Sequence, residues 1–129
     1  MDFLLQTHSG YRWIVLAVLL GVGTLGLVRS AQGAAWSKNA ERPFMLATIV
    51  FDLQIGLGIA LWIGNKGWDQ DFFIKFIHPL GMILAAGVAH MAVMRARKGD
   101  PAKAFRMAGI GLLAAPVIVA AVVPRDAWF

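Results

Sequence analysis

Trp13-Ile14-Val15-Leu16-Ala17-Val18-Leu19-Leu20-Gly21-Val22-Gly23-Thr24-Leu25-Gly26-Leu27-Val28 contains no charged side chain and a single hydroxyl. A helix on the surface of a soluble protein shows polar residues along one side, whereas every face of this stretch is apolar. Phe3, Leu4 and Leu5 extend it back toward Asp2, a good capping residue. A hydrocarbon core about 30 Å thick takes about 20 helical residues to cross, so the stretch reads as a membrane span.

Outward from it, the pattern recurs three times. Phe44 to Gly64 follows a polar loop that ends in Pro43, a residue suited to a helix start. Asn65-Lys66-Gly67 is a turn signal, and Phe72 to Met94 follows it. Arg95-Ala96-Arg97-Lys98-Gly99-Asp100-Pro101 stops one helix and begins another. The last block ends at Val123 before Pro124, with Pro116 expected to bend it. Helices are thus expected over about 3–29, 44–64, 72–95 and 103–123. The 129-residue chain is 59% hydrophobic and 15% charged, against roughly a quarter charged for a soluble domain. These features predict an all-α integral membrane four-helix bundle, up-down-up-down, forming one transmembrane domain over 1–129.

The net charge of +5 is explained by topology rather than by nucleic acid. Arg29, Lys38 and Arg42 fall in the first loop, and Arg95, Arg97, Lys98, Lys103 and Arg106 surround the third. The positive-inside rule places both loops in the cytoplasm and both termini outside. Trp13, Trp62, Trp68 and Trp128 then fall near the outer interface, as an aromatic belt does. The absence of cysteine excludes disulfide chemistry, thiolate metal sites and thioether-attached haem. Met1 to Gln6 has neither a basic leader nor a small-residue cleavage site, so no cleaved signal peptide is expected. Ala17 and Gly21 in the first helix, and Gly81, Ala85 and Ala89 in the third, are expected to line close helix contacts.

Polar residues inside spans are costly, at roughly 2.5–3.5 kcal/mol for a charge at mid-helix. His8, Arg12, Asp52, Gln54, His78 and His90 are the candidates for function. His8 and His78 each lie about 9 Å below the outer end of a helix. Those helices run in the same direction and are diagonal neighbours in a four-helix bundle, so a planar macrocycle is able to bridge the two rings. Neutral imidazole is a good axial ligand for haem iron, and bundle cores are common cofactor sites. Arg12, one turn deeper than His8, is placed to neutralise a haem propionate. Asp52, Gln54 and His90 lie toward the cytoplasm in roughly one layer, forming a candidate proton or quinone site. Asp52 is expected to be protonated, to pair with Arg12 or His90, or to line a polar cavity. His78 and His90, about 18 Å apart along one helix, are too distant to share an iron.

The run Thr7-His8-Ser9-Gly10-Tyr11-Arg12-Trp13-Ile14-Val15-Leu16 resembles the opening of small bacterial four-helix membrane proteins described as cytochrome b-like, whose first helix begins His-Ser-x-x-Arg-Trp. Gln54-Ile55-Gly56-Leu57-Gly58, His78-Pro79-Leu80-Gly81-Met82 and Pro124 are similar to segments of their later helices. The chain departs from that pattern at Gln6, where a further histidine is common, at Asp52, near a second-helix histidine, and at Ile77, in place of an acidic residue. The resemblance implies a bacterial inner-membrane protein with haem b as cofactor and His8 and His78 as the metal ligands, beside Arg12.

These observations together predict a small b-type cytochrome-like subunit taking part in quinol-linked electron transfer. Its partners would be the lipid bilayer, quinone, and other membrane subunits or further copies of itself. The alternatives are a non-catalytic accessory subunit of a larger respiratory or photosynthetic complex, and a small proton-coupled exporter using Asp52 in place of a first-helix glutamate. Whether the chain is an enzyme is left open. The only glutamate is Glu41, in a loop, and no hydrolase constellation is present.

Overall fold

A computed structural model describes Asp2–Trp128. Met1 and Phe129, which the sequence reading includes in the single domain, lie outside the described residues. The fold is all-helical: α1 spans Asp2–Ala31, α2 Arg42–Gly64, α3 His78–Lys98 and α4 Pro101–Val122. A π-helical turn, Phe73–Ile77, leads directly into α3. The helices, with that turn counted into the third, are four segments long and apolar enough to cross a membrane. Short 3-10 turns at Gly67–Asp69 and Arg125–Ala127 complete the chain.

Local chemistry accounts for the helix ends. Asp100 accepts a hydrogen bond from the backbone N–H of Ala102 at 3.0 Å, and Pro101 follows it in the first turn of α4, where its missing N–H has no cost. The π turn stands immediately before His78-Pro79. Pro79 has no N–H to offer the preceding turn, and a locally widened helix is a common response at such points. Pro116 lies inside α4 and is buried.

Around the bundle, α1 packs on α2 and α4, and α3 packs on the same two helices, which leaves α1 and α3 diagonal. The α2–α3 interface is the least extensive of the four. At the α1–α4 crossing, a Cβ added at Gly26 would lie 2.8 Å from the Phe105 carbonyl oxygen and 2.9 Å from the Gly109 Cα. One added at Gly109 would lie 2.8 Å from the Gly23 carbonyl oxygen. Backbones this close admit only glycine, and in lipid such contact drives helix association in place of the hydrophobic effect. The expected face at Ala17 and Gly21 is corrected here: both residues are exposed, and Gly23 and Gly26 make the contact instead. On α3 the expected residues do pack, with Ala85 and Ala89 buried and Gly81 against Val122 of α4.

The core centres on Leu19, Phe44, Phe51, Val93, Leu112 and Val119. Near one end, the rings of Trp36, Phe44 and Phe105 meet with centres 5.0–5.8 Å apart. The backbone N–H of Trp36 donates to the Pro101 carbonyl at 3.2 Å, and Arg97 Nε donates to Glu41 at 3.2 Å. The two basic loops therefore meet at the same end of the bundle.

Candidate functional site

The opposite end holds a cavity of about 520 Å³, a size typical of small-molecule and cofactor sites. Its lining is mainly apolar and draws on all four helices. His8 enters from α1 and His78 from α3, and their ring centres stand 6.2 Å apart with planes at 89°. The diagonal pair expected from helix depth is thus brought together, edge-on, across the bundle.

Each ring is placed by a neighbour. His78 Nδ1 lies 2.8 Å from the Val122 carbonyl oxygen. A carbonyl only accepts, so Nδ1 carries the proton and Nε2 keeps its lone pair. Metal-ligating histidines are oriented in this way by a backbone carbonyl. The His8 ring rests against Gly58 of α2, where an added Cβ would lie 3.0 Å from its Cε1. The Gln54 amide N–H donates to the His8 carbonyl at 2.9 Å, tying the backbone of α1 to α2 at this level. Gln54 therefore belongs to the histidine cavity and does not join Asp52 and His90.

Arg12 is buried, and its Nη2 donates to the Ala127 carbonyl at 2.7 Å. Its guanidinium stands 5.2 Å from the Trp13 ring centre and 5.1 Å from that of Trp128. It forms no pair with Asp52, which bonds His90 instead. Arg12 and Lys75 are the charged residues lining the cavity, and no carboxylate joins them. The site is therefore suited to a ligand that is largely apolar with an acidic edge.

Four buried side-chain polar atoms have no hydrogen-bond partner among the described residues: His8 Nδ1, Arg12 Nε, Gln54 Oε1 and Trp62 Nε1. Folded proteins leave few such atoms, and all four residues line this one cavity. Trp62 packs on the backbone of Gly67 and edge-on to Trp68, with ring centres 5.5 Å apart. Neither Trp62 nor Lys75 stood out in the sequence as a site residue. The signal for Lys75 was its isolation in the apolar run Phe72-Phe73-Ile74-Lys75-Phe76.

The second group divides differently. His90 Nε2 and Asp52 Oδ1 are 2.7 Å apart, linking α3 to α2, with side chains 41% and 50% exposed. Among the described residues no three histidine, aspartate or glutamate side chains gather as a metal site.

No protein-family profile, curated protein or solved structure matches this chain. The resemblance to cytochrome b-like proteins gains no support from those comparisons.

Proposed function

We propose that this chain is a small b-type cytochrome of the bacterial inner membrane, with His8 and His78 as axial ligands and a role in quinol-linked electron transfer. The observation that carries the reading is the histidine pair itself. Two metal–nitrogen bonds of about 2 Å, with about 1 Å added at each end to reach the ring centre, separate two axial imidazoles by about 6 Å. The rings stand 6.2 Å apart.

The surroundings fit as well. Val122 holds His78 with Nε2 free to ligate. Arg12 and Lys75 line a cavity without carboxylates and would neutralise the acidic edge of a bound haem. Bound haem would supply a one-electron iron couple within the span. The chain's own residues orient the ligands, neutralise the acidic edge and exclude water with apolar walls. In this reading the four helices cross in alternation, with the basic loops cytoplasmic and both termini periplasmic. The histidine cavity then lies toward the periplasm, and an electron partner would meet it there.

The test is a dithionite-reduced minus oxidised spectrum of the detergent-purified chain, with a pyridine haemochrome assay on the same sample. About one haem b per chain, lost in His78→Ala, is the expected result. Folded protein expressed with ample haem and lacking a b-type signal would overturn the reading. Co-purification with large partners would then favour the accessory-subunit alternative.

A further inference from the structure

Asp52 stands near the middle of its helix, about 15 Å from Arg42 and about 18 Å from Gly64 at 1.5 Å per residue. With His90 it forms a carboxylate–imidazole pair, half exposed on the outer surface between α2 and α3. Ionisable groups at this depth are rare and mark sites of proton or substrate handling. In the tautomer in which His90 Nε2–H donates to the carboxylate, Nδ1 and Asp52 Oδ2 are both acceptors. Neither has a protein hydrogen-bond partner among the described residues.

Space adjoins the pair. Gly56 follows Asp52 by one turn, and Gly87 precedes His90 by one turn. At about 100° per residue, Gly56 is offset by about 40° from Asp52 and Gly87 by about 60° from His90, so each shares its partner's face. A Cβ added at either glycine would meet nothing within 4 Å. His8 rests on Gly58, and His78 lies further back along α3 from His90. Moving from Asp52 toward Gly58, and from His90 back toward His78, therefore leads from the pair to the histidine cavity. Exposed Ile59 and Ile83 stand at its lateral edge on these two helices.

We propose that the Asp52–His90 pair and the open surface over Gly56 and Gly87 beside it bind the headgroup of an isoprenoid hydroquinone from the bilayer. The ligand must be lipid-soluble, because the pair faces outward at mid-span. A phospholipid headgroup stays at the interface and does not reach this depth. The pair offers one free acceptor on each side chain to a hydroxyl donor, and a flat ring fits where two glycines leave the surface bare. The inference rests on the helices spanning the bilayer but uses none of the residues assigned to haem. It names the quinol site of the proposed function and stands or falls separately from the haem.

The experiment is calorimetric titration of the detergent-solubilised full chain with a short-tailed benzoquinol kept under reductant. An azido derivative of the same quinone, mapped by mass spectrometry, locates the site. Asp52→Asn and Gly87→Leu are each expected to weaken binding at least tenfold, with photolabel on the α2 and α3 segments flanking the pair. Gly56→Leu serves as a second blocking variant if Gly87→Leu fails to fold. Preparations of the unmodified chain expressed with and without haem supply are expected to bind quinol equally, which separates this inference from the haem assignment. Absence of binding, wild-type affinity in folded Asp52→Asn and either blocking variant, or label confined to the histidine cavity would overturn it. So would variants that convert a dimer to a monomer with quinol affinity unchanged, because the pair would then be a contact between copies.

Discussion

The imidazole of His78 donates its Nδ1–H to the main-chain carbonyl of Val122 across the α3–α4 interface at 2.8 Å. One hydrogen bond thereby sets the tautomer of the ring. It also couples the His78 ring to Gly81, whose bare Cα lies against the Val122 side chain. Loss of such an orienting partner typically costs 10–100-fold in metal affinity. Gly81→Val pushes Val122 away and is expected to lower retained haem per chain about tenfold while leaving a folded bundle. Pyridine haemochrome and circular dichroism on one preparation check both.

His8 and His90 provide the contrast that tests the ligand pair. His8→Ala and His78→Ala should each abolish the b-type absorbance, whereas His90→Ala should retain it, because His90 bonds Asp52 in a separate layer. Reduced-minus-oxidised spectra of the three variants decide the point. Loss of the signal in His90→Ala with retention in His8→Ala would reverse the assignment.

Gly58 is the seat of the His8 ring, and a Cβ there falls 3.0 Å from Cε1. Gly58→Ala is expected to shift the reduced absorbance or potential modestly, and Gly58→Val to displace the ring and empty the site. A potentiometric titration of the alanine variant and a haem count for the valine variant measure these effects.

Arg12 ties α1 to the C-terminal segment through Ala127 and two indole faces. A charged hydrogen bond contributes about 1.5–3 kcal/mol and a cation–π contact about 0.5–2 kcal/mol. Arg12→Gln should therefore destabilise the fold by about 2 kcal/mol, read from unfolding in mixed micelles. Arg12→Lys should recover only part of this, because an ammonium lacks the planar fork of donors.

The crossing of α1 and α4 should tolerate nothing larger than glycine at Gly26 or Gly109. Gly109→Val drives a branched side chain into the α1 backbone, and overpacking of this kind costs about 1–3 kcal/mol. The same unfolding assay is expected to show a loss at the top of that range. Leu20→Ala, on an exposed face, should change little.

Orientation is open to labelling, because the chain contains no cysteine. Lys38→Cys and Lys98→Cys should react with an impermeant maleimide only in inverted vesicles, and Asp69→Cys only in spheroplasts. The opposite pattern would reverse the proposed topology while leaving the bundle unchanged.

The four apolar blocks and their ends were legible in the residues, since hydropathy over about 20 positions is a local property. Asp100-Pro101 and Asn65-Lys66-Gly67 act on the chain within a few residues of themselves. With the π turn Phe73–Ile77 counted into α3, the expected bounds accordingly differ from the observed helices by a turn or less. Depth was also readable, because a fixed rise per residue converts position into height. That placed His8 level with His78, and Asp52 near His90. What height does not contain is the rotation of each helix about its axis and its distance from its neighbours. Those depend on which surfaces meet: Gly23 and Gly26 rather than Ala17 and Gly21 face α4, although both pairs have helical spacing. The tertiary structure alone turned Gln54 to the His8 carbonyl and Asp52 to His90. It also drew Lys75 and Trp62 into the cavity lining and set the histidine rings 6.2 Å apart. That separation reflects packing between residues 70 positions apart in the chain, which no local pattern of hydropathy or spacing encodes.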